Sequence, residues 1–377
     1  MTVKSGLRVA VCFGTFPPER NGGSDFVARF ADALAETGSA VHVLTSRHPT
    51  EPSEETVGGV AVHRIIDDWT LARGRASLRR ANEFVRREAI DVLHVLFPDS
   101  VLQADYQLPA FIGLGRVPLV TTFWNLGLGR RSPVRLRLES VALLTRSRAL
   151  TSHDPTYLSV LRKVAGPRKV AWIPVGNNIG HAPRRQRDSG PFELAYFGQL
   201  DATRGAEDLF EAVRQLRSRH DVRLRMIGSA GRPERYDSGE LERFRRMPAQ
   251  LDIESVVDWT EYLPDEEVAG LLASADLCVL PYRRNSLGRS ALAAAFENRV
   301  PVVLAGTPEG IAPLKDGEHV ALVPPGNAAT LAQRIDELIE DSEKLCALER
   351  GAEEASRIFS WPSIVADAMR VYTSVVR

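Results

Sequence analysis

The chain has 377 residues, with 48 basic and 48 acidic side chains and a formal net charge of zero. That length supports two domains with full cores, and the charge balance gives no electrostatic case for nucleic acid or a strongly anionic membrane. Cys12, Cys278 and Cys346 are scattered, no stretch approaches a membrane span, and the start runs into a strand without a signal-type apolar region, so a reduced cytoplasmic protein is expected.

In the first half, short apolar runs predict strands at Leu7–Phe13, Ala40–Leu44, Val60–Ile65, Val92–Leu96, Pro118–Thr122 and Ala149–Ser152. Between the first two, Val27, Phe30, Ala31 and Leu34 fall at helical spacing, and the helix ends at Gly38. Such alternation reads as parallel β-α-β winding. The stretch Pro174–Pro191 breaks the pattern with glycine, asparagine, proline and basic residues, as a linker would. A second cycle follows: strand Glu193–Phe197, a helix marked by Ala206, Leu209, Val213 and Leu216, and strand Arg223–Ile227. Further strands are expected at Leu277–Leu280, Val300–Leu304 and His319–Val323, and the tail from Ala328 is helical in pattern. The domains then run 1–175, 192–358 after a linker at 176–191, and a closing helical segment at 359–377.

Two strand-to-helix junctions carry the chemistry. The first holds Pro17-Pro18-Glu19-Arg20-Asn21-Gly22-Gly23; the second holds Gly198-Gln199-Leu200 and then Arg204-Gly205. Free backbone N–H groups and the helix dipole make such junctions anion sites, so one in each half suggests an anionic ligand held between two α/β domains. A nicotinamide dinucleotide is disfavoured, because no G-x-G-x-x-G follows the first strand and Thr45-Ser46-Arg47-His48 ends the second without a carboxylate. No metal site is expected: the histidines are dispersed, and there is no C-x-x-C and no D-x-D pair. Phosphate charge must then be met by backbone amides, helix ends and arginine.

These segments, taken in order, resemble the GT-B retaining glycosyltransferases of family 4. The similarity runs through Pro18–Gly23, Asp91-Val92-Leu93-His94, Thr121-Thr122-Phe123 and Ile173-Pro174-Val175-Gly176-Asn177. It continues through Gly198-Gln199-Leu200, Arg204-Gly205, Ala275-Asp276-Leu277, Pro301-Val302-Val303, Thr307-Pro308-Glu309, Asp316-Gly317 and Phe359-Ser360-Trp361. The chain departs from the family at several motif positions, among them Arg204, which stands where the family usually has lysine. The family's paired glutamates are replaced by Ser286 and Ala294, its G-R-L arginine by Gln199, its G-x-P-V-V glycine by Arg299, and a frequent histidine by Trp124. This is the pattern of a divergent branch, in which Arg289-Ser290 takes over part of the donor-site segment.

The resemblance implies two Rossmann-like doubly wound domains facing a central cleft, with the last helix crossing back to the N-terminal domain. The first domain would hold the acceptor and the second the nucleotide sugar. It implies a metal-independent, retaining transfer of a sugar from a nucleotide diphosphate sugar (UDP, GDP or dTDP) to an acceptor hydroxyl, with no cofactor. In that frame Arg204 and Glu309 are the catalytic candidates; Gly22, Gly23, Gln199, Gly205, Arg289 and Ser290 would bind donor; Trp124, Asn125, Arg130 and His153 would face the acceptor. A bacterial natural product or another small molecule is the expected acceptor, since the sequence shows no basic amphipathic patch of the kind that docks on lipid. An epimerase or phosphorylase on the same scaffold, and a silent nucleotide-sugar-binding protein, are the alternatives.

Overall fold

A computed structural model describes residues 6–19, 21–97, 105–124, 126, 134–166, 168–185, 190–228, 238–261, 263–284 and 287–376. The chain divides into two units, Met1–Gly176 with Trp361–Arg377, and Asn177–Ser360.

The first unit is built on strands β1 (Arg8–Cys12), β2 (Ala40–Ser46), β3 (Glu54–Val57), β4 (Val60–Ile66), β5 (Val92–Phe97), β6 (Leu119–Phe123), β7 (Ala149–Ser152) and β8 (Lys169–Trp172). They order as β3-β4-β2-β1-β5-β6-β7-β8, parallel throughout except that β3 runs antiparallel to β4. The strands absent from the sequence reading, β3 and β8, are the two edges; exposed Glu54 and Lys169 give them no buried alternation to betray them. Helices α1 (Gly22–Glu36) and α12 (Trp361–Val376) share one core cluster, in which Phe26, Phe30, Val365, Ala368 and Tyr372 pack against β1. Helices α2 (Arg75–Arg87), α3 (Val134–Arg146) and α4 (Leu158–Ala165) share the cluster on the opposite sheet face, through Phe84, Leu143, Leu144 and Leu161. Each such buried apolar side chain contributes about 1.5–3 kcal/mol.

One buried polar network anchors α12. The Tyr372 hydroxyl lies 2.6 Å from His94 Nδ1, and Thr122 Oγ1 lies 2.6 Å from His94 Nε2. Both ring nitrogens are therefore satisfied inside the core, and burial pushes the His94 imidazole down to about 3, which keeps it neutral.

The second unit has six parallel strands: β9 (Phe192–Phe197), β10 (Val222–Ile227), β11 (Val257–Trp259), β12 (Leu277–Leu280), β13 (Val302–Ala305) and β14 (Ala321–Val323). Their order is β11-β10-β9-β12-β13-β14. Helices α5 (Ala206–Leu216) and α10 (Ala328–Glu340) cover one face. The remaining helices are α6 (Ser238–Gln250), α7 (Asp265–Ser274), α8 (Ser290–Glu297), α9 (Pro308–Ile311) and α11 (Ser342–Ile358). Part of the stretch read as a linker is bonded into this unit: Ala182 N–H donates to Asn298 Oδ1 at 2.8 Å, and the Arg184 guanidinium donates to the carbonyls of Ala273 and Ala275.

In both sheets the chain reverses its direction of travel beside the first strand, between β1 and β5 and between β9 and β12. Loops leaving the C-terminal ends of strands at such a switch point diverge and open a crevice where ligands bind. Both glycine-bearing junctions therefore sit where ligand chemistry is expected.

Candidate donor site

The donor-side residues gather on loops after β9 and β12, neighbouring parallel strands. After β9, Gly198 takes φ +130° and Gly205 takes φ +72°, values L side chains rarely adopt. Gly205 is required by space as well, since a Cβ there would lie 2.0 Å from the Pro281 carbonyl oxygen. This close approach brings the two loops together, and Arg283 N–H donates to the Thr203 carbonyl at 2.9 Å to hold them.

Between the loops lies Tyr282, fully buried. The guanidinium carbon of Arg204 is 5.8 Å from its ring centroid, and that of Arg289 is 4.8 Å from the same centroid. Arg204 Nε is 3.0 Å from Asp201 Oδ2, while Arg289 Nη2 donates to Thr203 Oγ1 at 3.4 Å. Burial and the Arg204 charge both push the Arg289 guanidinium down. Among the described residues, two cations thus share a half-buried space with Asp201 as the carboxylate paired to one of them. The first-turn acids of α5, Glu207 and Asp208, are paired elsewhere, with Arg243 and Arg283. Arg289 is the N-cap of α8, and Ser290 is its first residue. Gln199 contributes its carbonyl, which accepts the buried Tyr196 hydroxyl at 2.8 Å.

Glu309 sits in the first turn of α9, shortly after β13, exposed and two residues past the N-cap Thr307. Because β13 neighbours β12 in parallel, it rises from the same edge as the two arginines. Sequence reading missed Tyr282 and Asp201. The only signals were an aromatic residue just past a strand and a carboxylate three residues before Arg204.

In the first unit, the β1–α1 junction separates its two glycines. Asn21 Oδ1 caps α1 by accepting from Gly23 N–H at 3.1 Å and Ser24 N–H at 2.9 Å. A Cβ on Gly23 would come within 2.6 Å of the Phe13 ring, whereas one on Gly22 meets nothing within 4 Å. Only Gly22 therefore presents open backbone; Gly23 is glycine because Phe13 fills its space.

Trp124 follows β6 and packs edge-on against Phe26 and His153, with centroids 5.5 and 4.5 Å away. His153 is buried, and its Nδ1 lies 2.6 Å from the Ile173 carbonyl, so that nitrogen carries the proton. Among the described residues its Nε2 and the Trp124 Nε1 are buried without a partner, and burial pushes the imidazole down to about 4. Asn125 and Arg130 lie outside the described residues, as does Ser286; Ala294 is fully buried in α8.

Two groups of metal-competent atoms occur elsewhere among the described residues, His220 with Asp336 and Glu340, and Glu318 with His319 and Glu354. The first is already charge-matched by Arg219, which pairs with both Asp336 and Glu340. A recess of about 700 Å³ beside the C-terminal half of α1, lined by Arg29, Asp32, Glu36 and Trp361, lies away from the strand ends that carry the junctions.

Two parallel α/β units, each with a glycine-bearing junction at its switch point, make up a GT-B fold. The family model for group 1 glycosyl transferases matches residues 181–355, and that for glycosyltransferase family 4 matches residues 20–179. The chain belongs to this family and is a glycosyltransferase. It is 26% identical over 413 aligned residues to a glycogen synthase of Mycobacterium tuberculosis, covering 98% of this chain and 95% of that protein. Its fold matches a sucrose-phosphate synthase from Thermosynechococcus elongatus, with TM-score 0.79, 17% identity and 98% of both chains covered. It also matches Anabaena HepE in complex with UDP, with TM-score 0.74, 16% identity, and 98% and 100% of the two chains covered.

Proposed function

We propose that the chain transfers a sugar from a nucleotide diphosphate sugar to an acceptor hydroxyl with retention at the anomeric carbon, without a metal ion. The observation that carries this reading is the pair Arg204 and Arg289, held against Tyr282 at the β9/β12 switch point. Their charges supply what a divalent cation would otherwise supply to a departing diphosphate. A relative in the same fold holds UDP, which supports a nucleoside diphosphate as the leaving group; UDP, GDP and dTDP are the candidates.

The acceptor oxygen forms its bond to the anomeric carbon on the face from which the diphosphate oxygen departs. The acceptor proton passes to that phosphate oxygen, so no protein nucleophile is needed. Arg204 and Arg289 stabilise the charge that grows on the leaving group, Gly22 lets the backbone approach the donor, and Glu309 accepts hydrogen bonds from donor sugar hydroxyls. His153 is neutral with its proton on Nδ1, and both its Nε2 and the Trp124 Nε1 are buried, so these two residues support the acceptor side from within the first unit and do not themselves meet the acceptor hydroxyl. The substrate hydroxyl is that of a small molecule such as a bacterial natural product.

The test is donor turnover across UDP, GDP and dTDP sugars with and without EDTA, with product configuration read by NMR. One base should support EDTA-insensitive transfer with retention, and Arg204→Ala should lower kcat about 100-fold or more. Inversion, EDTA-sensitive turnover, or near-normal rates in Arg204→Ala would refute the assignment. Release of an isomerised sugar without acceptor would favour an epimerase instead.

A further inference from the structure

Helices α3 and α4 carry a surface unlike the rest of the chain. Both enter the same core cluster, through Leu143 and Leu144 and through Leu161 and Ala165, so both lie on one sheet face. The Arg168 guanidinium joins their C-terminal ends by donating to the carbonyls of Leu144 and Val164. Among the described residues eight large apolar side chains are exposed, and five of them, Val134, Leu138, Val141, Val160 and Val164, are on these two helices. Val134, Leu138 and Val141 recur at i, i+4 and i+7, which makes one stripe along the outer side of α3, and Val160 and Val164 recur at i, i+4 on α4. A helix that only covered the sheet would turn polar residues outward there.

The charge around the stripe is one-sided. From Val134 to Lys169, Arg135, Arg148, Arg162, Lys163 and Lys169 are exposed, whereas the two acids, Glu139 and Asp154, are 6% and 3% exposed. Among the described residues one acid from outside the segment reaches it, Asp105, 3.8 Å from Arg135. A chain of zero net charge has therefore placed a cationic, apolar strip on one side of its first unit. The sequence expectation that no basic amphipathic patch exists is corrected here. No periodicity marked it in advance, because α3 has apolar residues on both its inner and outer sides, and its single acid is buried.

We propose that this face docks on an anionic phospholipid surface. Exposed valine and leucine would enter the boundary between headgroups and acyl chains, while the flanking cations meet lipid phosphates. Nucleic acid fits the cations but leaves the stripe unused, and a second copy of the chain would set like charges against each other. No helix among the described residues is long and apolar enough to cross a membrane, so the attachment lies on the surface. It would bring the enzyme to where an amphiphilic small-molecule acceptor partitions, and it removes the ground on which a water-soluble acceptor was expected.

The experiment is co-sedimentation of the full chain with vesicles of phosphatidylcholine alone or with 30% phosphatidylglycerol, at low and high salt. Binding should require phosphatidylglycerol and weaken with salt. Arg162→Gln with Lys163→Gln should weaken it about tenfold or more, at roughly 1 kcal/mol per charge. Leu138→Asp with Val141→Asp should abolish it, with melting temperature and nucleoside diphosphate affinity unchanged in both variants. Equal pelleting on neutral vesicles, or none on either, overturns the proposal. Binding that survives Leu138→Asp with Val141→Asp overturns it too, since the face would then be a plain polyanion surface. So does dimerisation on size exclusion that this variant dissolves, which would make the stripe a self-association surface.

Discussion

Arg204 and Arg289, far apart in the chain, face one buried ring, with guanidinium carbons 5.8 and 4.8 Å from the Tyr282 centroid. Burial and the Arg204 charge both disfavour the charged form of Arg289, so an anion entering between them relieves a standing repulsion. Arg289→Ala should therefore weaken binding of the cognate nucleoside diphosphate about tenfold or more. The double variant with Arg204→Ala should lose less than the product of the single losses, because each cation sharpens the other's cost. Isothermal titration of all three proteins checks this; strict additivity would mean that the two cations act on the ligand independently, and unchanged affinity in Arg289→Ala would remove Arg289 from the site.

Glycine substitutions separate packing from ligand approach. Gly205→Ala meets the Pro281 carbonyl at 2.0 Å and sits at φ +72°, so it should cost about 2 kcal/mol or more of stability. Gly23→Ala strikes the Phe13 ring and should cost about 1–3 kcal/mol. Gly22→Ala meets open space, so its melting temperature should be unchanged while its donor KM rises. Thermal denaturation beside donor kinetics distinguishes the three, and a Gly22→Ala enzyme with normal KM would remove Gly22 from the donor site.

Two buried histidines predict acid lability. His94 and His153 are pushed down to about 3 and about 4 by burial, so in the folded state they stay neutral while the unfolded chain protonates below about 6.5. The unfolded state then binds more protons, and stability falls as pH drops through 6.5 towards those lower values. By pH 5 each should account for about 2 kcal/mol. Denaturant unfolding at pH 7.5 and pH 5 tests this: His153→Asn should reduce the loss between the two pH values by that amount.

Glu139 behaves in the opposite sense. It is buried on α3, its Oε2 has no partner among the described residues, and burial raises it to about 7. The folded state holds the proton that the unfolded state releases above about 4.5, so this residue lowers stability as pH rises from 4.5 to 7. Glu139→Gln should be more stable than the parent by about 1–2 kcal/mol at pH 8, with the difference vanishing near pH 4. Chemical denaturation at both pH values decides it.

Much of the fold was legible in the sequence. The strands at Ala149–Ser152 and Leu277–Leu280 coincide with β7 and β12, since a buried parallel strand is a short apolar run whatever its neighbours. The edge strand Glu54–Val57 was not legible, because it is mostly exposed and its pairing with β4 alone makes it a strand. Within the donor site, Arg204 and Gly205 could be singled out from a strand-turn-helix pattern. Tyr282 could not, because a buried tyrosine past a strand signals nothing until the loop beside it is known to approach within contact distance.

By itself the sequence determined the two α/β halves, the anion-suited junction in each and the order of motifs that marks the family, all properties of short windows and their succession. Tertiary structure decided which of two adjacent glycines is open, that two distant arginines share one ring, and that the outer side of α3 is apolar. Each of these depends on which side of an element is already covered, and that is set by contacts between residues remote in the chain, which no local pattern encodes.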